Sequence, residues 1–299
     1  MCYLERNHEV GKGHNHLTTI PSDFHSNGGI SKLPSEGGAS RSQSPFIAFA
    51  FYADLLSMRV ILPNCRIQFT ADDIDFIAQT LRRRPGGTDC LVGLLADSDS
   101  RDLILDDEAL FHALLEDRGC LRVSSHFYFY VMVRNVFRRA GIEDREMADY
   151  VAEVLSEYSL QERSRMSIPG QANSLEYFFE LMTALQNADE RTSFIIRAHI
   201  GNHSLFLTGV FPQRILHRAE KRGFPNLKYY EELGRSNFRV ASDHRLAQRY
   251  ELGPIFAQLS ERFHATRLAL NDISERLFSI GDCDHSLDAM IRNALQEPG

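Results

Sequence analysis

From about residue 70 onward, apolar residues recur at spacings of three and four almost without interruption, the period of an amphipathic helix. Thr70 opens TADDIDFIAQTLRRR with Asp73 three residues on, an N-cap pattern with acids in the first turn, and Arg82 to Arg84 followed by Pro85, Gly86 and Gly87 close it. TDCLVGLLAD and DDEALFHALLED read as short helices. Ser124 and Ser125 begin SSHFYFYVMVRNVFRRAG, which Gly141 ends. Its aromatic and β-branched content also suits a strand. EDREMADYVAEVLSEYS is a further amphipathic helix, and Asn173 with Glu176 brackets the start of LEYFFELMTALQNA.

Residues 190–211 form an apolar helix, and Pro212 suits the first turn of its successor QRILHRAEKR, stopped by Gly223 and Pro225. The span NLKYYEELGRSNFRVASDHRLAQRYEL reads as one long helix, with Gly253 and Pro254 marking the next start. The last long helix carries Phe256, Leu259, Phe263, Thr266, Leu270, Ile273 and Leu277, a heptad seam that lies along another helix. The expected fold is all-α, a bundle of roughly eight to ten helices over residues 58–299. Residues 1–44 hold six Gly, seven Ser and two Pro with few aliphatics. Such a stretch cannot bury enough surface to order itself, so residues 1–57 are read as a disordered or dispensable extension.

The chain has 299 residues, 43% hydrophobic and 24% charged, an ordinary globular composition. A net charge of −7 argues against a nucleic-acid partner, and the apolar stretches are too short or too interrupted by polar residues to span a bilayer. Arginine far outnumbers lysine, a codon-level hint of a bacterial source. The five cysteines are odd in number, scattered and never spaced Cys-x-x-Cys, which fits a reducing, cytoplasmic setting.

The richest chemistry lies in RAHIGNHSLFLTG. His199 and His203, four apart, project from one helical face and could grip a metal ion or flank a haem. Arg197 and Asn202 share that apolar helix, and each buried polar group there requires a partner. Ala198, Gly201 and Gly209 allow close approach of another backbone. A second stripe runs through Tyr230, Leu233, Asn237, Val240, His244 and Ala247, with Glu231 at its margin. If the two helices pack together, His199, Asn202, His203, Tyr230, Asn237 and His244 form the candidate ligand site. His199, His203 and Glu231 are then the candidate metal ligands.

Weaker signals resolve to ordinary structure. A di-iron site needs paired Glu-x-x-His motifs pointing inward, but Glu261 and His264 fall at heptad positions that face solvent. Asp72, Asp73 and Asp75 suit a helix start, and Asp282 to His285 a polar turn. Four histidines in the tail (His8, His14, His16, His25) are too loosely spaced for a firm metal site. No nucleophile elbow, phosphate-binding loop, His-Glu-x-x-His or haem-attachment motif occurs. The sequence therefore leans away from an enzyme and toward a cytoplasmic interaction or regulatory module that binds a protein or itself through its amphipathic helices, with no cofactor, nucleic acid or membrane. The alternatives are a metal or haem protein using iron or zinc, with a redox role, and a small-molecule pocket lined by Tyr128, Tyr130, Tyr229 and Tyr230.

Overall fold

The computed structural model describes residues 59–81, 93–95, 97–116, 123–166 and 174–279, and the side chains at 160–166, 174–177 and 275–279 lie outside that description. The expectations for the N-terminal extension, the tail histidines, the Arg82–Arg84 stop and the 282–285 turn fall outside the described residues. Every regular element among the described residues is helical, so the fold is all-α. Among the described residues, a 3-10 turn at Cys65–Gln68 precedes twelve α-helices of five residues or more. In chain order they are α1 (Ala71–Leu81), α2 (Ser98–Leu105), α3 (Glu108–Glu116), α4 (Ser125–Arg139), α5 (Arg145–Met166) and α6 (Ser174–Leu185). They continue with α7 (Glu190–Val210), α8 (Pro212–Arg222), α9 (Leu227–Ser242), α10 (Arg245–Arg249), α11 (Gly253–Glu261) and α12 (Phe263–Ser279).

Three differences raise the count above the eight to ten expected. Helix α2 is additional, started by Asp97, whose carboxylate accepts the Ser100 N–H. The span expected as one helix to residue 252 breaks after Ser242. Asp243 closes α9, and His244 turns extended (φ −77°, ψ 142°) to cap α10 through its own ring nitrogen. An imidazole that accepts from the Leu246 N–H satisfies a backbone donor at that break. The last long helix also splits, at Arg262 between α11 and α12. Its apolar seam survives the split: Phe256, Leu259, Phe263, Thr266, Leu270 and Ile273 are all buried. Leu277 lies outside the described side chains.

Helix α4 resolves the ambiguity of its β-forming residues. Ser124 accepts the Phe127 N–H, Gly141 takes the left-handed φ of 70° beyond the C-terminus, and every residue from Phe127 to Phe137 is buried. Burial on all sides, rather than intrinsic propensity, fixes the helix. Helix α7 is the second such element, continuously buried from Ile200 to Val210, with α5, α6, α8, α9 and α12 packed around it. The close approaches that its small residues allow are filled. A Cβ at Gly201 would stand 2.7 Å from the Phe238 ring, one at Gly209 2.9 Å from Leu270, and one at Gly234 on α9 2.5 Å from Phe263.

The first described helices are tied to this core by polar groups. Asp73 and Thr70 form a reciprocal capping box: Asp73 accepts the Thr70 N–H at 2.7 Å, and the Asp73 N–H is donated to Thr70 Oγ1 at 3.3 Å. Asp73 is fully buried because it also accepts the N–H and hydroxyl of Ser124, both at 2.7 Å, joining the starts of α1 and α4. Asp72 and Asp75 stay exposed. Arg66 spans the next layer. It donates through its backbone N–H and Nε to buried Asp149 on α5, and through Nη1 to both oxygens of Asp102 on α2. Beside it, Arg134 and Arg145 share Asp106, at 2.8 Å each.

Candidate functional site

Helix α7 turns 100° per residue, and that rotation decides which of its polar side chains meet. His199 and His203 lie four apart and stack face to face, ring centroids 5.9 Å apart and 17° from parallel. Tyr158 of α5 lies over both, and its hydroxyl is 2.9 Å from His199 Nδ1. Phe178 of α6 approaches His203 edge-on at 5.1 Å, and Tyr230 of α9 packs against Phe178 at 5.6 Å. His203 is buried and His199 half-buried. The rings of Tyr158 and Phe178 pack on the imidazoles, and Phe206 packs on Tyr158 at 5.3 Å. This His–His–Tyr cluster is the part of the expected site that the fold assembles, with Tyr230 joined through Phe178.

The remaining candidates are placed elsewhere. Asn202 is one residue before His203, so it points about a quarter-turn away, where its Oδ1 accepts the Tyr150 hydroxyl at 2.8 Å. Burial raises the Tyr150 phenol well above its ordinary range, and it stays a neutral donor. Asn237 faces the third side of α7, its Oδ1 accepting from Arg197 at 3.3 Å and its Nδ2 donating to the Leu233 carbonyl at 2.8 Å. His244 stacks on Phe194, 5.0 Å away and more than a turn before His199, with Glu190 3.7 Å from its Nε2. Glu231 is held at the other end of α9 by His264 (2.7 Å) and Arg267 (3.2 Å) of α12. His264 and Glu261 are both exposed, as their heptad positions require.

Among the described residues, no group of three or more His, Cys, Asp or Glu side chains is placed to hold a metal ion. The His199 and His203 pair is therefore joined by a tyrosine and phenylalanines, and Glu231 does not reach it. Of the four tyrosines proposed to line a pocket, Tyr229 and Tyr230 touch edge-to-face at 5.4 Å, but Tyr130 sits elsewhere. Tyr130 lies beneath the Arg66 guanidinium, 5.6 Å from its ring centroid, whereas Tyr229 is exposed and Tyr230 packs on Phe178. A cavity of about 10 Å³ does exist between α4, α5, α7 and α12, lined by Phe129, Leu155, Phe206, Val210, Leu270 and Ile273. Its size is that of a single water and its lining is nearly all apolar.

Two features lay outside the sequence reading. The partners Tyr150 and Tyr158, eight residues apart on α5, face α7 from one side; their helical spacing was the available signal. The other is a surface. Helix α6 buries Phe178 and Leu181 against the core yet leaves Phe179 70% and Met182 41% exposed. Phe179 and Met182 are three apart and so share one outward face. No helix of the described residues is long and apolar enough to cross a membrane. Comparison of the chain with protein-family models, with curated proteins and with solved structures finds no match.

Proposed function

We propose that the chain is a non-catalytic interaction module and that the outer face of α6 is a docking surface for protein. One observation carries this reading: α6 is apolar on two sides, Phe178 and Leu181 toward the core and Phe179 and Met182 toward solvent. A surface helix needs only one apolar stripe to join its own core. A second stripe that includes a largely exposed phenylalanine gains its free energy only when another surface covers it. The internal pairing of the α7 polar groups supports the same reading. Tyr150 with Asn202, Arg197 with Asn237 and Tyr158 with His199 use those groups to specify packing.

The test is Phe179→Ser with Met182→Ser, made together in the full chain. Both positions are exposed, so the melting temperature should stay within a few degrees of wild type. Sedimentation of the pure protein should show an association that the double variant loses, or a photo-reactive side chain at 179 should cross-link one protein in cells. A monomeric chain that gives no adduct at 179 would overturn the proposal.

A further inference from the structure

Helix α8 carries a stripe of basic residues along one face. Arg214, His217, Arg218, Lys221 and Arg222 follow the spacing i, i+3, i+4, i+7 and i+8, so all five lie on one face. The helix buries only Ile215, and Lys228 extends the charge into the first turn of α9. Between residues 211 and 230 there are five Lys or Arg residues and one acid, Glu220, in a chain whose net charge is −7. The side chains of Arg214, Lys221, Arg222 and Lys228 make no ion pair or hydrogen bond. Arg66, Arg134, Arg145 and Arg267, by contrast, are each held by carboxylates. Arg214, Lys221 and Arg222 thus place unpaired positive charge along about 12 Å of the helix, at 1.5 Å per residue.

We infer that the basic face of α8 docks an acidic helical segment of a partner protein. The choice of a polypeptide rests on the interaction-module reading, and three physical points favour it over other polyanions. Glutamates spaced three and four along a helix repeat with the same 5.4 Å pitch as the cations of α8, so the two rows match turn for turn. The stripe is short, and the rest of the chain is net acidic. A long nucleic acid would extend past α8 into that acidic surround, whereas a helical segment of about two turns stays on the stripe. For a membrane surface, a helix needs large apolar side chains to insert, and α8 exposes only Leu216 beside its cations. Leu216 and Tyr229, each partly exposed, supply apolar contacts at the margins of the stripe.

The experiment is fluorescence anisotropy on the full chain with three probes: a labelled alanine helix with glutamate at every fourth position, a single-stranded oligothymidylate, and phosphatidylserine vesicles. The peptide should bind, more weakly as salt rises, and more tightly than the other two. Arg214→Glu, Lys221→Glu and Arg222→Glu together should weaken it at least ~10-fold. Arg239→Glu with Arg249→Glu, exposed cations on other helices, should not. If the triple reversal unfolds the chain, the triple Gln variant serves in its place and should weaken binding in the same direction. Tighter binding of the oligonucleotide or the vesicles, no peptide binding, or unchanged affinity after reversal would each overturn the inference. So would a salt-sensitive self-association abolished by the reversal, since the occupant would then be a second copy. Phe179→Ser with Met182→Ser should leave peptide affinity unchanged, which separates failure of this inference from failure of the α6 surface.

Discussion

Asp73 shows how much one residue can be asked to do. Its carboxylate closes the capping box of α1 and accepts two hydrogen bonds from Ser124, the cap of α4. Asp73→Ala removes the acceptor and leaves buried donors at two helix starts, an expected loss of about 1–3 kcal/mol that urea unfolding would measure. His126, near by on α4, gives a pH signature. Glu153, 3.5 Å from its Nε2, raises the imidazole pKa above the ordinary 6.5 by hydrogen bonding, outweighing the opposing effect of burial. A raised folded value means the pair's stabilisation is present in full below about pH 6.5 and is lost as pH climbs through the folded value. The stability difference between wild type and His126→Gln should therefore shrink from pH 6 to pH 8, as followed by denaturant midpoints on the order of one pH unit apart. An unchanged difference would show that the imidazole is not charged by Glu153.

At the scale of elements, Arg66 is the bolt between the Cys65–Gln68 turn, α2 and α5. Its side chain is 12% exposed and that of its partner Asp149 3%. Burial pushes the Asp149 carboxyl upward even beside the guanidinium, so the charge depends on that partner. Arg66→Met strands the carboxylate, with an expected cost of about 3–5 kcal/mol that Asp149→Asn in the same chain should partly relieve. The helices themselves were largely legible, because caps and periodicity are local. Thr70 with Asp73, Ser124, Pro212 and Gly223 all act where their sequence positions suggest. The breaks at His244 and Arg262 were not legible. Both interrupt sustained apolar patterns, and only the three-dimensional packing of Phe194 on His244 makes the first break visible.

For the molecule as a whole, sequence could place polar residues on helices but not pair them across helices. His199 and His203 were predictable as a pair from their spacing alone. Asn202, Asn237 and His244 went to other partners because neighbours on α7 diverge by 100° and because α9 ends earlier than its pattern implied. The enclosed helix α4 has a consequence in the unfolded chain. Its segment FYFYVMV, residues 127–133, holds no charge, proline or glycine and consists of aromatic and β-branched residues with one methionine. Native packing alone keeps it helical. Once released, it has the composition of a cross-β zipper strand, so heating should end in precipitation, with an apparent melting temperature that moves with scan rate. Val131→Lys with Val133→Lys in a synthetic 127–133 peptide should abolish fibril formation seen by thioflavin fluorescence; a soluble wild-type peptide would show that the hazard lies elsewhere. The same residues that close the core so completely make the fold a container for its own most aggregation-prone stretch.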